Sequence, residues 1–366
     1  MTPDLSRSEG EVLLKIDKAE RIDNVMSDQQ KEVLLTADAV RRRSNRERVG
    51  ISIEASNAAS ALAWIEQAEQ AGVEQVWMVG AGAAIADILT LFAAVAVRTG
   101  RIRFGTAITT VYPRHPIVMA EQALALNDLA PGRLRLGIGT GYRMMIEGAL
   151  GLQYHQPHPY LKEYLEILRE ALWEGHTDYH GKFFNVTYTL KDYFFNPQVP
   201  RKAQVPLLIS AVNPKAFRLA GEISDGAISW AAPVPYLLNQ ALPELRAGAE
   251  ARQRPVPPLI AHIPIAMSTD EAAVLAATRP ILRQALQLGH YAQMFVKAGF
   301  AGAVNGDDSE LDALIRSQTI MGDEATVRNR LKELLASGLD ELVLQLRPIS
   351  DEKKERQQLL QLVGSL

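Results

Sequence analysis

The sequence predicts an α/β fold, a (β/α)8 TIM barrel with an N-terminal extension and small insertions. Three observations carry that expectation. From Val49 onward eight apolar runs of strand length alternate with helical segments. No Pro/Gly/Ser-rich linker marks a second domain, which a doubly wound sheet of this length would need. Finally, Arg101 to Gly141 reads as strand, long loop, helix, tight turn, strand and glycine-rich loop, the order of a parallel βαβ unit.

The elements follow in order. Residues 1–48 are dominated by Glu, Asp, Lys and Arg, with weak apolar faces at Val12, Leu13 and Ile16 and again at Val33 to Leu35. They are expected to form a mobile or partly helical extension. Arg41 to Arg43, Arg46 and Arg48 form a basic cluster among acids, which reads as a solvated surface before it reads as a phosphate or membrane contact. Met26 is a second candidate start residue. The barrel is expected over 49–350. Val49 to Ile53 is the first strand, Ser60 to Gln70 the first helix, and Gly72 its C-terminal glycine. Gln75 to Val79 is the second strand and Asp87 to Val97 the second helix. Arg103 to Ile108 is the third strand; Ile117 to Leu129 has helical spacing; Leu134, Leu136 and Ile138 alternate as the fourth strand.

Leu161 to Trp173 is a helix, and aromatic and β-branched residues around Gly181-Lys182 suggest an inserted hairpin. Pro206 to Ser210, Ala227 to Trp230, Leu259 to Met267 and Glu341 to Leu346 are the remaining strands. Pro214 opens one helix, further helical stretches run around Tyr236 to Arg252 and from Asp270, and Asp323 caps another that Gly338 ends. Residues 351–366 are expected as a C-terminal helix.

The 366-residue chain is 47% hydrophobic with a net charge of -3. That suits a large core and gives no support to nucleic-acid binding. The absence of cysteine excludes disulfides, thiolate metal sites and cysteine nucleophiles. No apolar run reaches the length of a membrane span and no signal-peptide pattern opens the chain, so a cytoplasmic location is expected.

Several motifs invite chemistry. Gly137-Ile-Gly-Thr-Gly141 is GxGxG, not the dinucleotide GxGxxG, and no acid ends a strand about twenty residues on. It reads either as a loop admitting a flat ligand to backbone or as a tight turn. Arg114-His115-Pro116 is a polar pair after the third strand, either functional or an ion pair and a backbone contact. His155 and His158 in HQPHP read as a loop pair, because the prolines oppose a helical two-histidine zinc face; no metal is expected. His262 reads as a satisfied core residue, and no GxSxG supports a hydrolase. Ser210 to Asn213 precedes Pro214, so it is either a backbone phosphate cradle, with Lys215 nearby, or a helix capped by Asn213.

Six segments in register resemble the luciferase-like (bacterial luciferase) superfamily of flavin-dependent oxidoreductases, and within it the coenzyme F420-dependent branch. They are VEQVWMV, RIRFGTAIT, YPRHPIVMAEQAL, PGRLRLGIGTGY, YLKEYLEILREAL and PKAFRLAGEISDGAISW. The resemblance implies hydride transfer between F420 and a small organic substrate, with a ring seated at the carboxyl ends of the strands. It implies a non-proline cis peptide at Ala107-Ile108. It implies cofactor contacts from Ala107, Ile108 and Thr109, from Gly139, Thr140 and Gly141, and, for the phosphate, from Ser210, Ala211, Val212 and Asn213. Tyr142, His115 and Glu147 are the polar groups expected to reach the open face of the ring. Two departures touch the chemistry. Gly80, Ala81 and Gly82 stand where many members carry an acid or histidine, and Tyr142 stands where the sugar-phosphate dehydrogenases carry a glutamate. The alternatives are an FMN-dependent monooxygenase using molecular oxygen, a non-catalytic flavin-binding protein, and a sugar-phosphate enzyme without flavin. No partner beyond a small-molecule substrate is expected, apart from a homodimer, which the sequence neither requires nor opposes.

Overall fold

The computed structural model describes residues 35–80, 87–191 and 199–366. Its strands in chain order are β1 (Val49–Ser52), β2 (Gln75–Gly80), β3 (Arg103–Thr110), β4 (Leu134–Gly139), β5 (His176–His180), β6 (Asn185–Thr189), β7 (Leu207–Ser210), β8 (Ala227–Ser229), β9 (Leu259–Ala266), β10 (Ile320–Met321) and β11 (Glu341–Leu346). Eight of them close a parallel barrel in the order β1-β2-β3-β4-β7-β8-β9-β11, with β11 pairing back onto β1. Short β10 adds to the end of β9, and β5–β6 is the expected hairpin. Its turn is held by the Glu163 carboxylate, which accepts from the amides of Lys182 and Phe183 at 2.9 Å each. The fold is the (β/α)8 barrel that the strand count predicts.

The barrel interior is filled in layers, as a closed parallel sheet requires. Trp77 lies across the axis, buried with Leu208, Ile228, Ile260 and Val343. Gly105 makes room for it: a Cβ there would stand 2.4 Å from the indole. Toward the amino ends, Glu341 receives both terminal nitrogens of Arg135, at 2.6 and 2.9 Å, and the Gln75 amide at 3.0 Å. The Arg135 guanidinium also lies 4.8 Å from the Trp77 ring centre.

Two short helices precede Val49 within the stretch expected as a mobile or partly helical extension. Thr36 caps a helix over Ala37–Arg41, and Ser44 with Glu47 forms a capping box for Asn45–Arg48. Arg48 is buried and donates to the carbonyls of Leu339 (2.7 Å) and Asp340 (2.8 Å). Arg41 donates to the buried Asp340 carboxylate at 2.6 Å. The arginines read as a solvated cluster are therefore partly spent on the carbonyls and acid at the amino end of the barrel. Residues 1–34, where the rest of the extension was expected, lie outside the described residues. At the other end Asp351 caps the helix Glu352–Gly364.

His262 is buried on β9, and its Nδ1 lies 2.9 Å from the Ser229 carbonyl, which fixes that nitrogen as the donor. Its Nε2 has no partner among the described residues, so the expected satisfied core histidine is half satisfied there. Burial pushes its pKa from 6.5 down to about 4, against the pull of the Ser229 carbonyl and with a further push from Arg347. In this window the unfolded imidazole takes a proton that the folded one refuses. Stability should therefore fall as pH drops from 6.5 to about 4. Denaturant midpoints across that range should show a shallower fall in His262→Gln than in the parent; identical slopes would mean that His262 does not titrate on unfolding.

Candidate active site

The carboxyl ends of the barrel strands frame a cavity of about 760 Å³, a size typical of cofactor sites. Much of its wall can be traced to strand ends. The Ala107-Ile108 peptide is cis, and Ile108 faces the cavity. Gly139 packs tightly behind it: a Cβ there would meet Ser210 Oγ at 2.4 Å and the Ile108 side chain at 2.8 Å. Gly141 has φ +65°, a left-handed conformation that turns the chain so that Thr140 and Tyr142 also line the cavity. The Tyr154 hydroxyl donates to Thr140 Oγ1 at 3.2 Å and pins this loop.

At the end of β7 the helix Pro214–Ile223 starts as its residues dictate, with Asn213 as N-cap accepting from the Ala216 amide at 3.0 Å. Both sequence readings of this loop thus coexist: the Asn213 side chain caps the helix, while Ser210, Val212 and Asn213 line the cavity. Among the described residues no protein acceptor engages the amides of Val212, Asn213 or Lys215. His158 lines the same region, and burial followed by the Lys215 charge lowers its pKa.

The remaining sequence candidates separate. Tyr142 lines the cavity; burial raises its pKa, partly offset by a hydrogen bond from Tyr291, so it is a neutral O–H donor at neutral pH. His115 does not line the cavity. It is exposed, serves as N-cap of the helix Pro116–Leu129, and accepts from the Ile117 amide at 3.3 Å through Nδ1. The flanking prolines do hold it in place, but facing outward. Arg114 beside it pairs with Asp87. Glu147 is also outside: it lies exposed on a π-helical turn, Met144–Ala149, paired with Arg143 at 2.8 Å. Thr109 and Ala211 are buried in the walls without reaching the cavity. Among the described residues no group of three or more His, Asp or Glu stands where it could hold a metal. Ala81 and Gly82, the departure noted after β2, lie outside the described residues.

Sequence reasoning missed several polar or aromatic lining groups, among them Glu54, Tyr154, Trp230, His290 and Tyr291. Glu54 follows β1 by two residues and is tied to Gln345, with Arg347 at 3.8 Å. Trp230 directly follows β8. His290 and Tyr291 come from a helix, Gly289–Lys297, between β9 and β10.

Comparison with known proteins agrees with this geometry. The family described as luciferase-like monooxygenase matches residues 41–341, and the chain belongs to it. An F420-dependent glucose-6-phosphate dehydrogenase of Beutenbergia cavernae is 35% identical over 238 residues, which cover 60% of this chain and 67% of that protein. A 5,10-methylenetetrahydromethanopterin reductase of Methanopyrus kandleri is 25% identical over 334 residues, 82% of this chain and 91% of the relative. The solved coenzyme F420-dependent tetrahydromethanopterin reductase of Methanopyrus kandleri superposes with a TM-score of 0.66 at 22% identity, covering 87% of this chain and 97% of that one. An EDTA monooxygenase from Chelativorans gives 0.68 at 15% identity, covering 87% and 92%. These structural likenesses show the shared barrel. The protein is an oxidoreductase of the luciferase-like type. No helix among the described residues is long and apolar enough to cross a membrane.

Proposed function

We infer that this chain transfers hydride between coenzyme F420 and a small organic substrate in the cavity at the barrel mouth. The observation that carries the reading is one cavity combining an apolar wall at Ala107-Ile108 with unbonded amides at a helix start. A flat ring carrying a phosphorylated tail needs both features. The F420-dependent relatives favour this coenzyme over FMN.

F420 supplies a ring that accepts or gives hydride; the protein supplies binding, orientation and protons. Ala107 and Ile108 would support the ring, with Thr109 and Gly139 fixing that wall from behind. Thr140 and Gly141 would border it. Val212 and Asn213 would receive the phosphate on backbone N–H groups, with Ser210 beside them, Ala211 holding the strand end, and His158 and Lys215 adding positive charge at low pH and at neutral pH respectively. Tyr142 holds a proton for the substrate oxygen, and Tyr291 stabilises the phenolate left behind. Glu54, held by Gln345 and Arg347, is the second group able to hold or take a proton. His115 and Glu147 have no part in this scheme, because neither lines the cavity.

The alternative is an FMN-dependent monooxygenase using molecular oxygen; it rests on fold neighbours of low identity such as the FMN complex of a Baeyer–Villiger monooxygenase at 18%. Parallel titrations with F420 and FMN, followed by quenching of protein fluorescence, test the reading. F420 should bind at least about tenfold more tightly than FMN, a difference of about 1.4 kcal/mol. Tighter binding of FMN would replace the F420 reading by the alternative.

A further inference from the structure

We propose that the substrate of this cavity is an uncharged or cationic molecule with a flat aromatic or conjugated ring, and that the wall built from Tyr142, Trp230, His290 and Tyr291 selects it. The proposal rests on the oxidoreductase reading above and names its substrate class.

The wall is assembled from three separate parts of the chain. Tyr142 comes from the loop after β4, Trp230 from the end of β8, and His290 with Tyr291 from the helix Gly289–Lys297. The Tyr142 and His290 rings stack with centroids 5.7 Å apart and planes 21° apart. Tyr291 sits 4.5 Å from His290 and meets Trp230 edge-on at 5.2 Å. Tyr291 is buried and its ring packs against both His290 and Trp230, so the wall is built before a ligand arrives. A preformed aromatic wall favours a flat ring, because stacking then costs little side-chain ordering.

The charges point the same way. Among the described residues lining the cavity there is no lysine or arginine; besides tyrosines, the ionisable ones are Glu54, His158 and His290. Burial lowers the His290 pKa, which keeps the imidazole neutral at neutral pH. His158, on the helix Pro157–Glu174, and Lys215, in the first turn of the helix Pro214–Ile223, stand at the end assigned to the coenzyme phosphate. Residues 81–86, whose sequence is AGAAIA, carry no ionisable side chain. A phosphate on the substrate would lose its water beside this wall with no lysine or arginine among the described lining residues to receive it, and with the Glu54 carboxylate in the same cavity. Glu54 instead tolerates a neutral or positively charged ligand.

The test uses a matched pair of probes, 2-naphthol and 2-naphthyl phosphate, together with glucose 6-phosphate. Each is titrated by calorimetry into the full chain already saturated with F420, whose own affinity is measured first. Naphthol should bind, and naphthyl phosphate and glucose 6-phosphate should bind at least about tenfold more weakly or not at all. His290→Ala and, as a separate variant, Trp230→Leu should each weaken naphthol about tenfold while leaving the F420 affinity in place. The proposal is overturned if either phosphate binds as tightly as naphthol, or if both variants fold and bind naphthol like the parent. If F420 fails to bind, the coenzyme reading falls, and the naphthol affinity of the coenzyme-free parent and variants still decides this proposal.

Discussion

Replacing Glu341 by leucine should destabilise the protein by roughly 3–5 kcal/mol, because it leaves the Arg135 guanidinium buried without its counter-ion. Arg135 and Glu341 are both enclosed at the amino end of the barrel, at 5% and 1% side-chain exposure. The Gln75 amide would lose one of its two acceptors at the same time, keeping the Glu47 carbonyl. Removing both charges, with Arg135→Met added to Glu341→Leu, should recover most of the loss, since the desolvation of the lone cation disappears. Urea midpoints of the single and double variants measure this. A single variant as stable as the parent would show that water or another group reaches Arg135. The pair also predicts an acid limit. Burial raises the Glu341 pKa, but the Arg135 charge, its hydrogen bond and that of Gln75 outweigh it, so the net shift is downward from 4.5. A depressed carboxyl gives stability that is complete above its unfolded value and is lost as pH falls through the folded one. The parent should weaken below about pH 4.5, and the double variant should lack that component.

Val212→Asp should weaken coenzyme binding by about tenfold to a hundredfold, while Val212→Ala should leave it nearly unchanged. Val212 lines the cavity at the start of the helix Pro214–Ile223. An acid there would repel a phosphate and compete for the same amides. The difference should shrink as salt rises, since partly exposed charges are screened. Equal affinities for two folded variants would place the phosphate elsewhere.

The barrel was legible because buried parallel strands are continuous apolar runs of fixed length, and Pro, Gly, Asp and Asn punctuate them. Pro214 and Asn213 stand where those rules put them, and the helix expected from Leu161 starts only four residues earlier, at Pro157. The segments proposed to meet the cofactor lie around one mouth; 139–141 and 210–213 were candidates from their glycine-rich and helix-start patterns, 107–109 through family resemblance. Side-chain direction was not legible. His115 and Glu147 sit on the expected loops, but one caps a helix and the other pairs on the surface, and a sequence does not encode which way a loop residue turns. Glu54 was within reach: a charged residue just past a barrel strand is where such folds keep their chemistry. His290 and Tyr291 were not, because their helix follows no strand and carries no motif. The same holds for 35–48, where a charged stretch conceals arginines that fold onto backbone carbonyls of the barrel.

A crystal structure of the F420 complex tests the central claim most directly. The account predicts the deazaflavin ring against Ile108 and the phosphate within hydrogen-bond distance of the Val212 and Asn213 amides, with Tyr142 bordering the remaining space. Coenzyme bound away from the carboxyl ends of the strands, or a phosphate held by other residues, would contradict it.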